Sequence, residues 1–135
     1  MSIKIYCDTN IYLDYLLNRN NLFGKNIGDR AFSVFNRSLS CEFEIIVSSW
    51  TLVELKNKVE FGQINTLFSF LKRKIVKVEH TPEDIEKAKI LSAHFQDALH
   101  AILANKAGAS FLITRDLKGF LAYETLVKVK LPENL

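Results

Sequence analysis

The residues of this chain that can do chemistry are acids placed just after apolar runs. Asp8 follows Ile3-Lys4-Ile5-Tyr6-Cys7, and Glu54 follows Val47-Ser48-Ser49 at a distance of six residues from Ser48. Asp97 precedes Ala98-Leu99-His100, and Asp116 stands two residues past Thr114. Taken singly, each has an ordinary use. Asp8 and Asp97 suit helix N-caps, because a short acidic side chain accepts from the first free backbone N–H groups. Asp116 suits a turn, and Glu54 a solvated helix face. Brought to one place without matching basic residues, these carboxylates would repel one another, and a hard divalent cation is the usual neutraliser of such a cluster. The chemistry they allow together is that of a metal site.

The elements that must position them alternate along the chain. Residues 3–7 read as a strand, with Ile3, Ile5 and Cys7 on one face and Tyr6 half-buried on the other. An apolar helix over 11–17 follows and ends in the polar loop 18–21; a second helix covers 27–37. Residues 43–47 form the next strand, and Ser48-Ser49 cap a helix carrying Trp50, Leu52, Val53 and Leu55. Gly62 separates that helix from one over 64–72, and residues 75–78 are a third strand. Thr81-Pro82-Glu83-Asp84 is a helix start with a cap, a first-position proline and an acid three residues after the cap, for a helix running to about His94. Asp97 opens a further helix that Gly108 ends. Residues 111–114 are a fourth strand, 115–123 a short helix or turn, and 126–130 a fifth strand at an edge.

Short apolar strands separated by helices predict an α/β fold, a parallel sheet with helices on both faces. In such sheets functional groups gather beyond the carboxyl ends of the strands, where the strand order reverses. If strands one and four are neighbours, Asp8 and Asp116 meet at that edge. Asp97 starts or reaches the same edge, and Glu54, about one and a half turns into its helix, leans toward it.

Composition sets the outer bounds. The chain has 135 residues, 48% apolar and ten of them Phe, which predicts a single domain over 1–135 with a packed core. No apolar run approaches the roughly 20 residues of a membrane span, and Asp8 interrupts the run that would resemble a signal peptide, so the expected location is cytoplasmic, with no membrane partner. Cys7 and Cys41 lack a Cys-x-x-Cys spacing and are expected to be small buried hydrophobes. His100, with no second His or Cys at ligand spacing, reads as a helix residue facing solvent or a neighbour, and Lys72-Arg73-Lys74 as a solvated face. The net charge of +3 is compatible with an anionic partner.

In their order along the chain, Asp8-Thr9-Asn10 before an apolar helix, an acid in the helix after Val47-Ser48-Ser49, Asp97-Ala98-Leu99-His100, and Leu112-Ile113-Thr114-Arg115-Asp116 resemble the PIN-domain family, and the size resembles its VapC-like toxins. The resemblance implies a three-layer α/β/α fold with a five-stranded parallel sheet of order 3-2-1-4-5. It implies Asp8, Glu54, Asp97 and Asp116 as the catalytic acids holding one or two Mg²⁺ or Mn²⁺ ions, with Asn10 and Thr114 in supporting hydrogen bonds. It implies an endoribonuclease leaving a 5′-phosphate and a 3′-hydroxyl, the toxin of a type II toxin–antitoxin pair, a protein antitoxin and a homodimer. Lys56, Lys58, Arg115 and Lys118, near the acids in sequence, are the candidates for substrate phosphates. Gly119 and Gln96 stand where relatives carry further acids. The alternative is a catalytically weak PIN-like module that binds RNA or protein. A receiver domain would need an Asp where Glu79-His80 follow strand three, and a phosphatase of the haloacid dehalogenase type would need an acid at Asn10.

Overall fold

The computed structural model describes residues 3–17 and 27–135, apart from the Ile27 side chain; the expected loop 18–21 lies outside the described residues. Within them five strands, β1 (Lys4–Cys7), β2 (Glu44–Ser48), β3 (Ile75–Val78), β4 (Phe111–Ile113) and β5 (Lys128–Lys130), form one sheet of order β3-β2-β1-β4-β5. Every pairing is parallel, with Tyr6 opposite Ile46 on one side of β1 and Leu112 on the other. The order reverses at β1, which places its carboxyl end at the switch point between β2 and β4.

Seven α-helices flank the sheet among the described residues: α1 (Thr9–Leu16), α2 (Ile27–Leu39), α3 (Ser49–Lys56), α4 (Phe61–Phe70), α5 (Pro82–Leu91), α6 (Phe95–Lys106) and α7 (Leu117–Phe120). Side-chain alternation along the strands feeds two cores. Ile5, Cys7, Ile45, Val47 and Ile113 pack with Tyr12, Leu13, Phe35, Leu55 and Leu67 from α1 to α4. Tyr6, Ile46 and Leu112 pack on the opposite face with Ala98, Ala101, Ala104 and Phe120 from α6 and α7. The result is the expected α/β/α layering.

Several boundaries differ from the sequence reading. Gly62 lies inside α4, which starts at Phe61. The helix over 97–107 starts two residues earlier, with His94 at the cap position, so Asp97 lies in the first turn and is not the cap. Thr81 and Asp84 do form the reciprocal capping box expected of α5. Tyr6 is fully buried, not half-buried. Cys7 is buried, but Cys41 is exposed, in a left-handed conformation at φ 66°, with Lys74 Nζ 3.1 Å from its sulfur. The tight exit from α2 into β2, not apolar packing, sets its position. No helix among the described residues is long and apolar enough to cross a membrane.

Candidate active site

The ends of β1 and β4 build the floor of the site. The Asp8 backbone N–H donates to Ile113 O at 2.9 Å, which carries the β1–β4 pairing one residue past β1 and fixes the Asp8 backbone before α1 begins. Asp8 occupies the cap position of α1 without a side-chain capping bond, and its carboxylate is buried. Thr114, one residue past β4, donates its hydroxyl to Asp8 Oδ2 at 3.1 Å and accepts the Asp116 backbone N–H at 3.0 Å. Asp116 in turn caps α7, accepting the Gly119 N–H at 3.0 Å, and stays exposed. A Cβ at position 119 would stand 2.3 Å from Asp116 Oδ2, so glycine is what lets this carboxylate fold over the helix start.

α6 supplies Asp97. The buried Ala98, Ala101 and Ala104 let this helix lie close on the sheet, and Asp97 sits half-buried at its sheet-edge end. Burial pushes the Asp97 carboxyl above its usual value, and the charges of Asp8, Asp116 and Glu54 push it further, against a lowering effect of His100. Asp8 is raised in the same way, by burial first, while His100, the Thr114 hydroxyl and the Asn10 backbone N–H oppose the rise. Asp8, Glu54 and Asp116 are thus each near enough to Asp97 for their charges to act on it. They do not form a cage: among the described residues, no three His, Cys, Asp or Glu side chains are arranged to hold a metal ion.

Behind the acids lies a buried polar chain that sequence reasoning missed. His100 is buried; its Nε2 is 2.6 Å from Glu54 Oε1 and its Nδ1 is 2.6 Å from the Tyr6 hydroxyl. Tyr6 OH continues to Ser48 Oγ at 2.7 Å, and Ser48 Oγ accepts the Thr51 N–H at 3.0 Å. Thr9 donates to the same Glu54 Oε1 at 2.6 Å. Burial disfavours a charged His100, and Tyr6, Glu54 and Asp8 outweigh it, holding the imidazole well above its ordinary range. Burial also works against the Glu54 carboxylate, and His100, Thr9 and Lys58 together bring it below the usual range. His100 thus faces neighbours and not solvent. The one sequence signal for it is its spacing of three residues from Asp97, which puts both on one side of a helix.

The remaining expectations fare unevenly. Asn10 is exposed, and its backbone N–H favours the Asp8 carboxylate. Arg115 does not point its fork at open solvent: Nε and Nη2 bind the buried Asp14 of α1, the latter at 2.9 Å from Oδ1. Lys56 and Lys118 are exposed on α3 and α7, and Lys58 lies near enough to Glu54 to favour its charge.

The donor set fits a hard cation. Its free-standing donors are carboxylate oxygens, and the buried Cys7 thiol points into the apolar core on the helix α1 side. Mg²⁺ needs only one or two direct carboxylates and keeps several waters, which an open group of acids can provide without a cage. An open parallel α/β sheet with an acidic group at its switch point is the class of protein that fold and site define. The family model described as PIN domain matches residues 4–118, from β1 into α7 and across all four acids, and the chain belongs to the PIN-domain family. PIN domains are generally nucleases, and such nucleases generally use divalent metal ions. No curated protein matches the chain.

Proposed function

We propose that this protein is a metal-dependent endoribonuclease, acting as one domain over residues 1–135, with Asp8, Asp97 and Asp116 holding one or two Mg²⁺ or Mn²⁺ ions and Glu54 completing the acidic group. The observation that supports this reading is the placement of Asp8 and Thr114-held Asp116 just past β1 and β4, beside an Asp97 that is half-buried and whose carboxyl is raised by burial first and then by the charges of Asp8, Asp116 and Glu54. A folded chain tolerates such repulsion where a cation is meant to relieve it.

The bound ion would ease ionisation of a water and stabilise charge on the scissile phosphodiester. The chain's own residues set the stage. Thr114 holds Asp8 by a hydroxyl donation, and the α7 turn holds Asp116 by the Gly119 N–H. Lys56, Lys58 and Lys118 offer cations for the RNA phosphates flanking the cut, and Arg115 contributes to that role only with donors not spent on Asp14.

The toxin role, a protein antitoxin, a homodimer and a cytoplasmic location belong to the same reading. Exposed Phe61 and Phe70 on α4 and Ile90 and Leu91 on α5 support association through apolar surface. A second reading, a PIN-like module that binds RNA or protein without cutting, is favoured by the lack of a ready-made ligand cage among the described residues. Incubation with structured and unstructured RNA separates the two. The nuclease reading expects cleavage with Mg²⁺ or Mn²⁺, abolition by EDTA, recovery when the metal is restored in excess, and no cleavage by Asp8→Asn. Binding without cleavage under every metal condition would establish the module instead.

A further inference from the structure

We propose that Tyr6, His100 and Glu54 form a positioning relay that aims Asp97 and Asp8, and that Glu54 serves as the anchor of this relay and not as a direct metal ligand. The inference rests on the nuclease reading of the site and assigns roles within it.

The geometry runs through five elements, β1, α1, β2, α3 and α6. Glu54 on α3 receives two donors on one oxygen, Thr9 Oγ1 at 2.6 Å and His100 Nε2 at 2.6 Å. An acceptor carboxylate forces a proton onto Nε2, and Nδ1 then faces the Tyr6 hydroxyl at 2.6 Å. Tyr6 is held on its far side by Ser48 Oγ at 2.7 Å, itself tied to the first turn of α3 through Thr51 N. The ring therefore has both nitrogens engaged and one orientation available.

Two of the catalytic acids are mechanically attached to this chain. Asp97 lies three residues before His100 on α6, so the bond that fixes the ring also fixes the rotation of the helix that presents Asp97. Thr9 is the residue after Asp8, so its bond to Glu54 sets the turn from which Asp8 emerges. The Tyr6 and His100 side chains are both buried, and neither faces the open edge where RNA would lie. A purely apolar core would not need this chain of polar groups: burying a phenol and an imidazole is tolerable only when each is fully bonded.

Two measurements test the relay. The first needs no variant: proton–nitrogen NMR of the uniformly nitrogen-labelled full-length protein, covering backbone amides and histidine side chains, titrated with Mg²⁺. The relay predicts a slowly exchanging His100 Nε2–H signal that persists at saturating Mg²⁺ while the Asp8 and Asp97 amide signals shift. Loss of the Nε2–H signal as Mg²⁺ binds would mean that Glu54 has moved to the ion, and the inference fails. Absence of any shift at Asp97 defeats the nuclease reading itself, and the inference with it.

The second is single-turnover RNA cleavage. Glu54→Gln keeps an oxygen for Nε2–H and Thr9, so it should stay within about tenfold of wild type, whereas Asp97→Asn should lose on the order of 100-fold or more. Tyr6→Phe, which keeps the ring volume, should lower the saturating single-turnover rate constant about three- to tenfold with the half-saturating enzyme concentration unchanged. Equal losses in Glu54→Gln and Asp97→Asn, or a fully active Tyr6→Phe, would overturn the assignment.

Discussion

The Thr114 hydroxyl donates to Asp8 Oδ2 at 3.1 Å, joining the ends of β4 and β1 across the switch point of the sheet. The same hydroxyl accepts the Asp116 N–H at 3.0 Å, so one small side chain sets two of the acids relative to each other. Thr114→Val keeps the shape and removes both bonds. The expected outcome is a loss of activity of about 10- to 100-fold, the range for residues that orient a ligand, with folding retained. Cleavage rates beside a thermal unfolding curve check it.

Gly119 carries a sharper expectation. Alanine there would bring a Cβ to 2.3 Å from Asp116 Oδ2 and 2.9 Å from its Cγ, and the atom that must yield is the tip of a flexible side chain. Gly119→Ala should therefore displace the Asp116 carboxylate while changing stability by less than about 1 kcal/mol. Activity should fall about tenfold or more with a nearly constant Tm. A normal rate in a normally folded variant would remove Asp116 from the working site.

Arg115 is expected to matter for stability. Its partner Asp14 is fully buried on α1, so Arg115→Met would take this ion-pair partner away from a buried carboxylate. Because Arg115 itself is half-exposed, the cost should fall below the usual range for buried pairs, at about 2 kcal/mol. Urea unfolding of Arg115→Met and of Arg115→Met with Asp14→Asn measures it; the second should recover part of the loss.

Asp84 sets a pH dependence. Burial disfavours its charge, but the Lys106 ammonium at 2.9 Å and the Thr81 backbone N–H and hydroxyl at the head of α5 prevail and hold the carboxyl below its usual value of 3.8. A group depressed in the folded state contributes stability that is full above its unfolded pKa and disappears as pH falls through the folded one. Wild type should thus exceed Asp84→Asn by about 1 kcal/mol at neutral pH. The gap should close as pH drops below about 4, which unfolding curves at a series of pH values would trace.

Much of the fold is legible because each strand announces itself locally. β3 over Ile75–Val78 and the Thr81 capping box follow from neighbouring residues alone. The sheet order is different. It came from resemblance, because no local pattern says that Phe111–Ile113 lies beside Lys4–Cys7. The roles of the acids likewise came from resemblance: Asp8 and Asp116 follow β1 and β4, but Asp97 lies in the first turn of α6 and Glu54 late in α3, where no local pattern marks them. The role of His100 could not be read, since its partners Tyr6 and Glu54 lie 94 and 46 residues away, and an isolated histidine among helix-forming neighbours gives no sign of burial. Cys41 was misplaced because its exposure follows from the chain reversal before β2, which composition does not register.

The most direct test of the central claim is single-turnover cleavage of RNA by wild type and Asp97→Asn, with Mg²⁺ or Mn²⁺ and with EDTA. Asp97 is the acid on which the charges of Asp8, Asp116 and Glu54 converge. A metal-dependent ribonuclease predicts cleavage by wild type that EDTA stops and that Asp97→Asn lacks, with the variant folded. Equal cleavage by the two proteins, or wild-type cleavage that persists in EDTA, would contradict it.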